Sequence, residues 1–213
     1  MLNRLRIKYL LLVFLFCAAP AYAEEMELAP LLVELKLSST QIETLSSPFV
    51  QEKYLDIFAE KLLSQGRFAY RKPDLLRWEL LTPVASGFVL RGDQGERWNR
   101  LSQRQESFSV KKDPVMGMIA QQLLAWARVD LDWLQSRYRM ELQKLTPVVL
   151  HLYPRDKGEA EFIDHLQIQF SADRSHVVAV QMVEQGGDST SISFTAVEIN
   201  SELSDSVFQV PDQ

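Results

Sequence analysis

Two hydrophobic periods alternate along this chain. Leu28, Leu31, Leu32 and Leu35 recur at helical spacing and predict an amphipathic helix that ends near Ser38 and Ser39. From about Ile42 to Lys111 the pattern changes to period-two alternation. Phe68 and Tyr70 share one face, with Arg67 and Arg71 on the other. After Lys72-Pro73-Asp74, the side chains of Leu76, Trp78 and Leu80 share a face while Arg77 and Glu79 point away. Phe88 and Leu90 continue the series, then Trp98, then Phe108 and Val110. Alternation of this kind marks antiparallel strands with one wet face. Turns are signalled at Lys72-Pro73, at Thr82-Pro83 and at Gly92-Asp93-Gln94-Gly95.

The middle of the chain returns to the helical period. Asp113-Pro114 reads as an N-cap followed by proline at the first helical position. Val115, Met118, Ile119, Gln122, Leu123 and Trp126 then form a helical stripe. Asp130 caps a second, shorter helix carrying Leu131, Leu134 and Tyr138. Strands resume around Met140 and run through Leu150 and Leu152, Leu166 to Phe170, Val178 to Met182, and Ile192 with Phe194. Gly186-Gly187-Asp188 supplies a hairpin turn among them. The predicted class is α+β, a long antiparallel meander interrupted by one helical insertion.

The N-terminus predicts export. Arg4, Arg6 and Lys8 precede an apolar run over residues 10–19, and Ala21-Tyr22-Ala23 offers a small-x-small cleavage pattern ahead of Glu24. The run falls short of the ~20 residues a membrane helix needs. Cleavage after Ala23 leaves a single domain over residues 24–213 and places it in the periplasm. Losing three cationic side chains takes the formal charge from −5 to −8. That balance argues against nucleic acid and anionic membrane surfaces as partners. Cys17, the one cysteine, lies inside the apolar run behind Leu15-Phe16, which is not a lipidation context. The processed chain therefore has no thiol for a disulfide, a nucleophile or a metal.

Catalytic signatures are absent. No two of the eight glycines stand four apart and none precedes lysine, which excludes a nucleophile elbow and a phosphate-binding P-loop. His151, His165 and His176 are not spaced for a helical zinc motif, and the first two fall on the polar side of their strands. No cofactor or metal is expected, and no enzyme. What the chain has is apolar surface on one side of a sheet, with about three short helices to cover it. Met116, Met118 and Ile119 on the helical insertion add adaptable apolar groups. The same pattern also describes an ordinary core, so periodicity alone does not make a cavity.

Specific residues add to this. Phe49-Val50-Gln51 is similar to the F-x-Q that opens the sheet in LolA-like lipoprotein carriers. Residues 66–78, with Gly66, Phe68, Tyr70, Lys72, Pro73 and Trp78, resemble that family's G-x-aromatic-x-aromatic-x-[KR]-P-x-x-x-x-W segment. Pro83, Trp98, Leu150 to Pro154, and a closing Phe208-Gln209-Val210-Pro211 read as a terminal F-x-x-P strand extend the match in order. The resemblance implies an unclosed β-barrel, a curved antiparallel sheet whose concave face is covered by a helical lid. It implies a monomeric carrier of lipoprotein acyl chains or free lipid, loaded by an inner-membrane transporter and unloaded to an outer-membrane acceptor. Carried over by position, Phe68, Tyr70, Leu76, Trp78, Leu80, Phe88, Leu90, Trp98 and Phe108 would line the cavity, with Met116, Met118 and Ile119 from the lid. Lys72 stands where family members have an arginine that holds the lid closed, and is the candidate latch. Gln94 replaces a turn glycine, and Arg97 an apolar residue. These departures point to a paralogue with a specialised cargo, such as a glycolipid or other acylated lipid. A regulatory module that binds an envelope signal is the second reading, and a lipid-modifying enzyme the third.

Overall fold

The computed structural model describes residues 20–57 and 61–211, with side chains of the first helix from Leu28 onward. The expected leader peptide, including Cys17, falls largely outside these residues. The elements run α1 (Pro20–Ser39), β1 (Thr44–Tyr54), β2 (Leu62–Arg71), β3 (Leu75–Thr82), β4 (Ser86–Arg91), β5 (Gln94–Asn99) and β6 (Arg104–Ser109). Then come α2 (Pro114–Arg128), α3 (Leu131–Arg137), β7 (Tyr138–Leu145), β8 (Val148–Pro154) and α4 (Lys157–Ala160). β9 (Ile163–Phe170), β10 (Val177–Glu184), β11 (Ser189–Phe194) and β12 (Glu198–Ile199) follow, and a 3-10 turn (Asp205–Phe208) closes the described chain.

The strands form one antiparallel sheet in the order β6-β5-β4-β3-β2-β1-β11-β10-β9-β8-β7, with β12 pairing β1 off the path. β1 joins the halves, pairing β2 on one side and β11 on the other. β6 and β7 are the two ends and do not pair, so the barrel is unclosed. The chain leaves the sheet at one end, runs through α2 and α3, and re-enters at the other. That path lays α2 across the inner face.

Local chemistry explains the insertion. Asp113 caps α2 by accepting from the Met116 amide, and Pro114 occupies the first turn. α2 ends at Val129, which takes a left-handed conformation (φ 51°) usually left to glycine. The Asp130 amide then bonds back to the Ala125 carbonyl at 2.9 Å, and the Asp130 carboxylate caps α3 through the Trp133 amide. Val129 is held in that conformation by burial, being 2 % exposed.

Two apolar clusters fill the inner face. One packs Phe49, Phe68, Tyr70, Leu76, Phe88 and Leu90 under Met116, Ala120, Leu123 and Ala127 of α2. The other packs Leu31, Leu32 and Leu35 of α1 and Leu131 and Leu134 of α3 against β8 to β10. Glycine permits the first cluster's geometry. Gly66 pairs with Phe49, and a Cβ there would lie 2.2 Å from that ring and 2.3 Å from the Glu79 carbonyl. The bare backbone lets Phe49 lie flat and stack on Trp78, ring centroids 4.0 Å apart at 20°. Gly95 serves Phe108 in the same way.

Two expectations are corrected. Trp98 does not share the inner face with Phe88 and Leu90. It pairs with Gly87 on the outer face, where the Arg77 guanidinium lies 5.1 Å from its ring. The closing Phe208-Gln209-Val210-Pro211 is not a strand but part of a strap across the outer face. Arg77 donates to the Val207 and Gln209 carbonyls at 2.9 and 2.6 Å, and Arg91 donates to that of Phe208 at 2.6 Å. Beneath the strap, Arg77 and Glu79 form a buried ion pair at 2.8 Å, which Arg67 joins from the rim.

Candidate functional site

α2 is shared between the halves. Its Met116, Ala120, Leu123 and Ala127 stripe sits on the aromatic cluster. The adjoining stripe, with Ile119, Gln122 and Trp126, faces the second half of the sheet. Between that stripe and the strands lies a cleft of about 260 Å³. Its far wall is Leu166 of β9, Val180 and Met182 of β10, and Ile192 of β11; Trp78 of β3 forms its floor edge and Met118 its rim. The walls are aliphatic and aromatic, as an acyl chain requires. The volume lies just below the ~300–1,000 Å³ of ordinary ligand pockets. A larger hollow of about 660 Å³ lies under the outer strap, but Arg67, Arg77, Ser46 and Glu198 line it. Those groups suit water or ions, not hydrocarbon.

One end of the cleft is polar. The Tyr138 hydroxyl donates to Glu159 Oε1 at 2.7 Å and lies 3.0 Å from the side-chain amide of Gln122. Arg137 pairs with the other Glu159 oxygen at 2.9 Å. Burial first, then the bond to Glu159, pushes the Tyr138 phenol above its ordinary range, so the hydroxyl keeps its proton.

Exposed apolar groups surround the open side. Met118 is 50 % exposed and Ile119 38 %. Among the described residues no group of three His, Cys, Asp or Glu side chains could hold a metal. The His151 and His165 rings lie tilted against each other on the sheet, centroids 4.4 Å apart, and both residues are half-buried.

The structure divides the residues named from sequence. Trp78, Met118 and Ile119 line the cleft. Phe68, Tyr70, Leu76, Phe88, Leu90, Phe108 and Met116 lie in the closed aromatic cluster, with Leu80 packed at its margin. Trp98 is on the other face. Sequence reasoning left out Trp126, Tyr138 and Glu159 as site residues, together with the wall from β9 to β11. The Trp126 stripe was visible, but which strands it would face depends on long-range closure.

Lys72 makes a different contact from the one expected. Its ammonium donates to the Thr40 carbonyl at 2.8 Å and to Glu43 at 3.0 Å, tying down the end of α1. α2 is fastened by two arginines instead. Arg128, in its last turn, donates to the Pro73 carbonyl and, at 3.3 Å, to the Tyr70 hydroxyl. At the other end Arg97 reaches the capping Asp113 at 3.3 Å. Arg97, a departure from the family pattern, thus pins the start of the helix, through an exposed pair of modest strength. No sequence signal separates Arg128 from the many cations found at helix C-termini.

The comparisons agree with this geometry. The fold is similar to that of an uncharacterized conserved protein from Thermus thermophilus, at 9% identity, covering 85% of this chain and 93% of that one with a TM-score of 0.54. It is also similar to MucB, at 16% identity and a TM-score of 0.53, covering 87% of this chain; the match spans 63% of MucB. Comparison with curated proteins gave no match. Residues 40–211 match the family described as outer membrane lipoprotein carrier protein LolA, and the chain belongs to that family.

Proposed function

We propose that this protein is a periplasmic carrier that takes acyl chains of lipoproteins or lipids into the cleft beneath α2 and shuttles them from the inner to the outer membrane. The cleft carries this reading: an apolar space between the Ile119-Gln122 stretch of α2 and strands β9 to β11. Each methylene moved there from water contributes ~0.8 kcal/mol, so about eight of them supply ~6 kcal/mol. The resting volume is small, so uptake requires α2 to move. Besides its apolar seat on the aromatic cluster, α2 is held by a few hydrogen bonds rather than a covalent or metal link. Transfer then needs a donor and an acceptor at the two membranes, the acceptor offering the better site. No covalent step is needed.

The departures at Lys72, Gln94 and Arg97 favour a specialised acylated lipid, such as a glycolipid, over general lipoprotein traffic. A regulatory role is the second reading, because MucB shares the fold and has been solved in complex with MucA from Pseudomonas aeruginosa. Native mass spectrometry with lipid extraction, on protein purified from the periplasm without detergent, tests the first reading. A co-purifying acylated species supports it. An empty protein that also ignores added acyl probes, but captures a membrane protein, puts the regulatory reading first.

A further inference from the structure

Among the described residues, three buried side-chain nitrogens have no hydrogen-bond partner: Trp126 Nε1, Gln122 Nε2 and Arg137 Nε. All three belong to residues at the cleft or next to it. Trp126 and Gln122 line the cleft from α2, and Arg137 holds the Glu159 carboxylate that shares it. Buried polar atoms in native proteins are nearly always paired, and each exception asks for a reason. Four residues apart, Gln122 and Trp126 share one face of the helix.

The orientation of the Gln122 amide follows from proton counting. The Tyr138 hydroxyl has one proton and gives it to Glu159 at 2.7 Å. Gln122 Oε1, placed 3.0 Å from the same hydroxyl, would then set acceptor against acceptor. Half a turn of the amide keeps its shape and lets Nε2 donate to the tyrosine oxygen. Its carbonyl oxygen is then the atom left unpaired. Two residues that line the cleft thus keep one unpaired donor, the Trp126 N–H, and one unpaired acceptor, the Gln122 oxygen, both closed off at rest and within reach of a guest only once α2 shifts.

We propose that this pair recognises the secondary amide of an N-acylated guest, so that the site selects N-acyl amides over O-acyl esters of equal chain length. Trp126 donates to the acyl carbonyl, and the Gln122 oxygen accepts the amide N–H. An ester satisfies only Trp126, and a hydrocarbon satisfies neither. Both partners are shielded from water at rest, where a hydrogen bond left unmade discriminates most strongly. The inference rests on reading the cleft as an acyl-chain site.

The test is competition against a fluorescent hydrocarbon probe bound to the purified protein. The competitors are the dodecanoyl N-methyl amide, the dodecanoyl methyl ester and a hydrocarbon of matching length. Trp126→Phe removes the N–H and trims the indole to one ring, so the readout is the ratio to the hydrocarbon: the amide and the ester should weaken roughly fivefold more than the hydrocarbon does. Gln122→Met should weaken the amide by a similar factor relative to both the ester and the hydrocarbon. The hydrocarbon reports in each variant that the cleft still forms. Equal weakening of all three competitors, or an amide unaffected by either substitution, overturns the amide assignment while the acyl cleft stands. Failure of the wild-type protein to bind the probe or any competitor overturns the carrier reading itself.

Discussion

Under α2 the first half of the sheet presents mainly rings, while the cleft wall of the second half is aliphatic, with Phe194 of β11 the ring that bridges them. Phe88 and Phe108 meet edge to face at 5.9 Å, Phe49 stacks on Trp78, and Phe68 tilts against both Trp78 and Phe194. Ala120 and Ala127 let the helix approach these rings closely. Across from these, Leu166, Val180, Met182 and Ile192 meet α2 only in part, packing toward its Ala125-Trp126 end and bordering the cleft elsewhere. α1 and α3 close only the far end of that half. A single helix seats fully on the first surface and only through Ala125 and Trp126 on the second, and the cleft lies where that second seat is incomplete. An apolar cleft thus needs no loss of apolar residues, only an unequal sharing of one cover.

Equal truncations in the two halves give the largest expected contrast. Leu90 is fully buried in the closed half, and Leu90→Ala should lower unfolding stability by about 3 kcal/mol. Met182→Ala, on the cleft wall, should lower it by about 1 kcal/mol, because the site already borders open space. Urea midpoints that fall equally would show the halves to be packed alike. Gly66→Ala tests what allows the rings to close. Its Cβ would collide with Phe49 and the Glu79 carbonyl, for about 2 kcal/mol by the same titration.

The fastenings come next. Arg128→Met removes the donor to Pro73 and Tyr70, at about 1 kcal/mol, and should raise uptake of a fluorescent acyl probe several-fold. Lys72→Met, which releases only the end of α1, should leave probe uptake unchanged. Reversed results would return the latch to Lys72.

The smallest effect is a pH dependence beside α1. Burial holds His176 below its ordinary pKa of 6.5, with Asp173 opposing. The unfolded state therefore takes the proton first. The stabilisation is fully present above about pH 6.5 and is lost as pH falls through the window down to the folded value. His176→Gln should flatten that part of the stability profile relative to the parent; an unchanged profile would sink the assignment.

Alternation made most of the sheet legible. Phe68, Tyr70, Leu76, Trp78, Phe88 and Leu90 share the face that their parity predicts, because the Tyr70–Leu76 and Leu76–Leu90 pairings preserve it. Trp98 failed for a definable reason. The two-residue turn after Arg91 pairs Leu90 with Gly95, so the inward positions switch from even to odd numbers. The next hairpin, pairing Gly95 with Phe108, switches them back. Helix caps at Asp113 and Asp130 were local and therefore readable. The cleft was not, because it lies between residues far apart in sequence, such as Trp126 and Met182. The final strap escaped detection because its bonds come from arginines on distant strands rather than from its own pattern.

The path of the chain from one margin of the sheet to the other has a mechanical consequence. A cover attached at one end swings like a door, but α2 is continuous with the structure at both ends. At its C-terminal end only Val129 and Asp130 separate it from α3. Such a span can bow or tilt but not swing clear, so under the proposed carrier role its slack would set the girth of a guest beneath it. Val129, in a conformation that strains a β-branched residue, sits where that slack is shortest. Lengthening the joint there, more than enlarging the walls, would widen the range of guests.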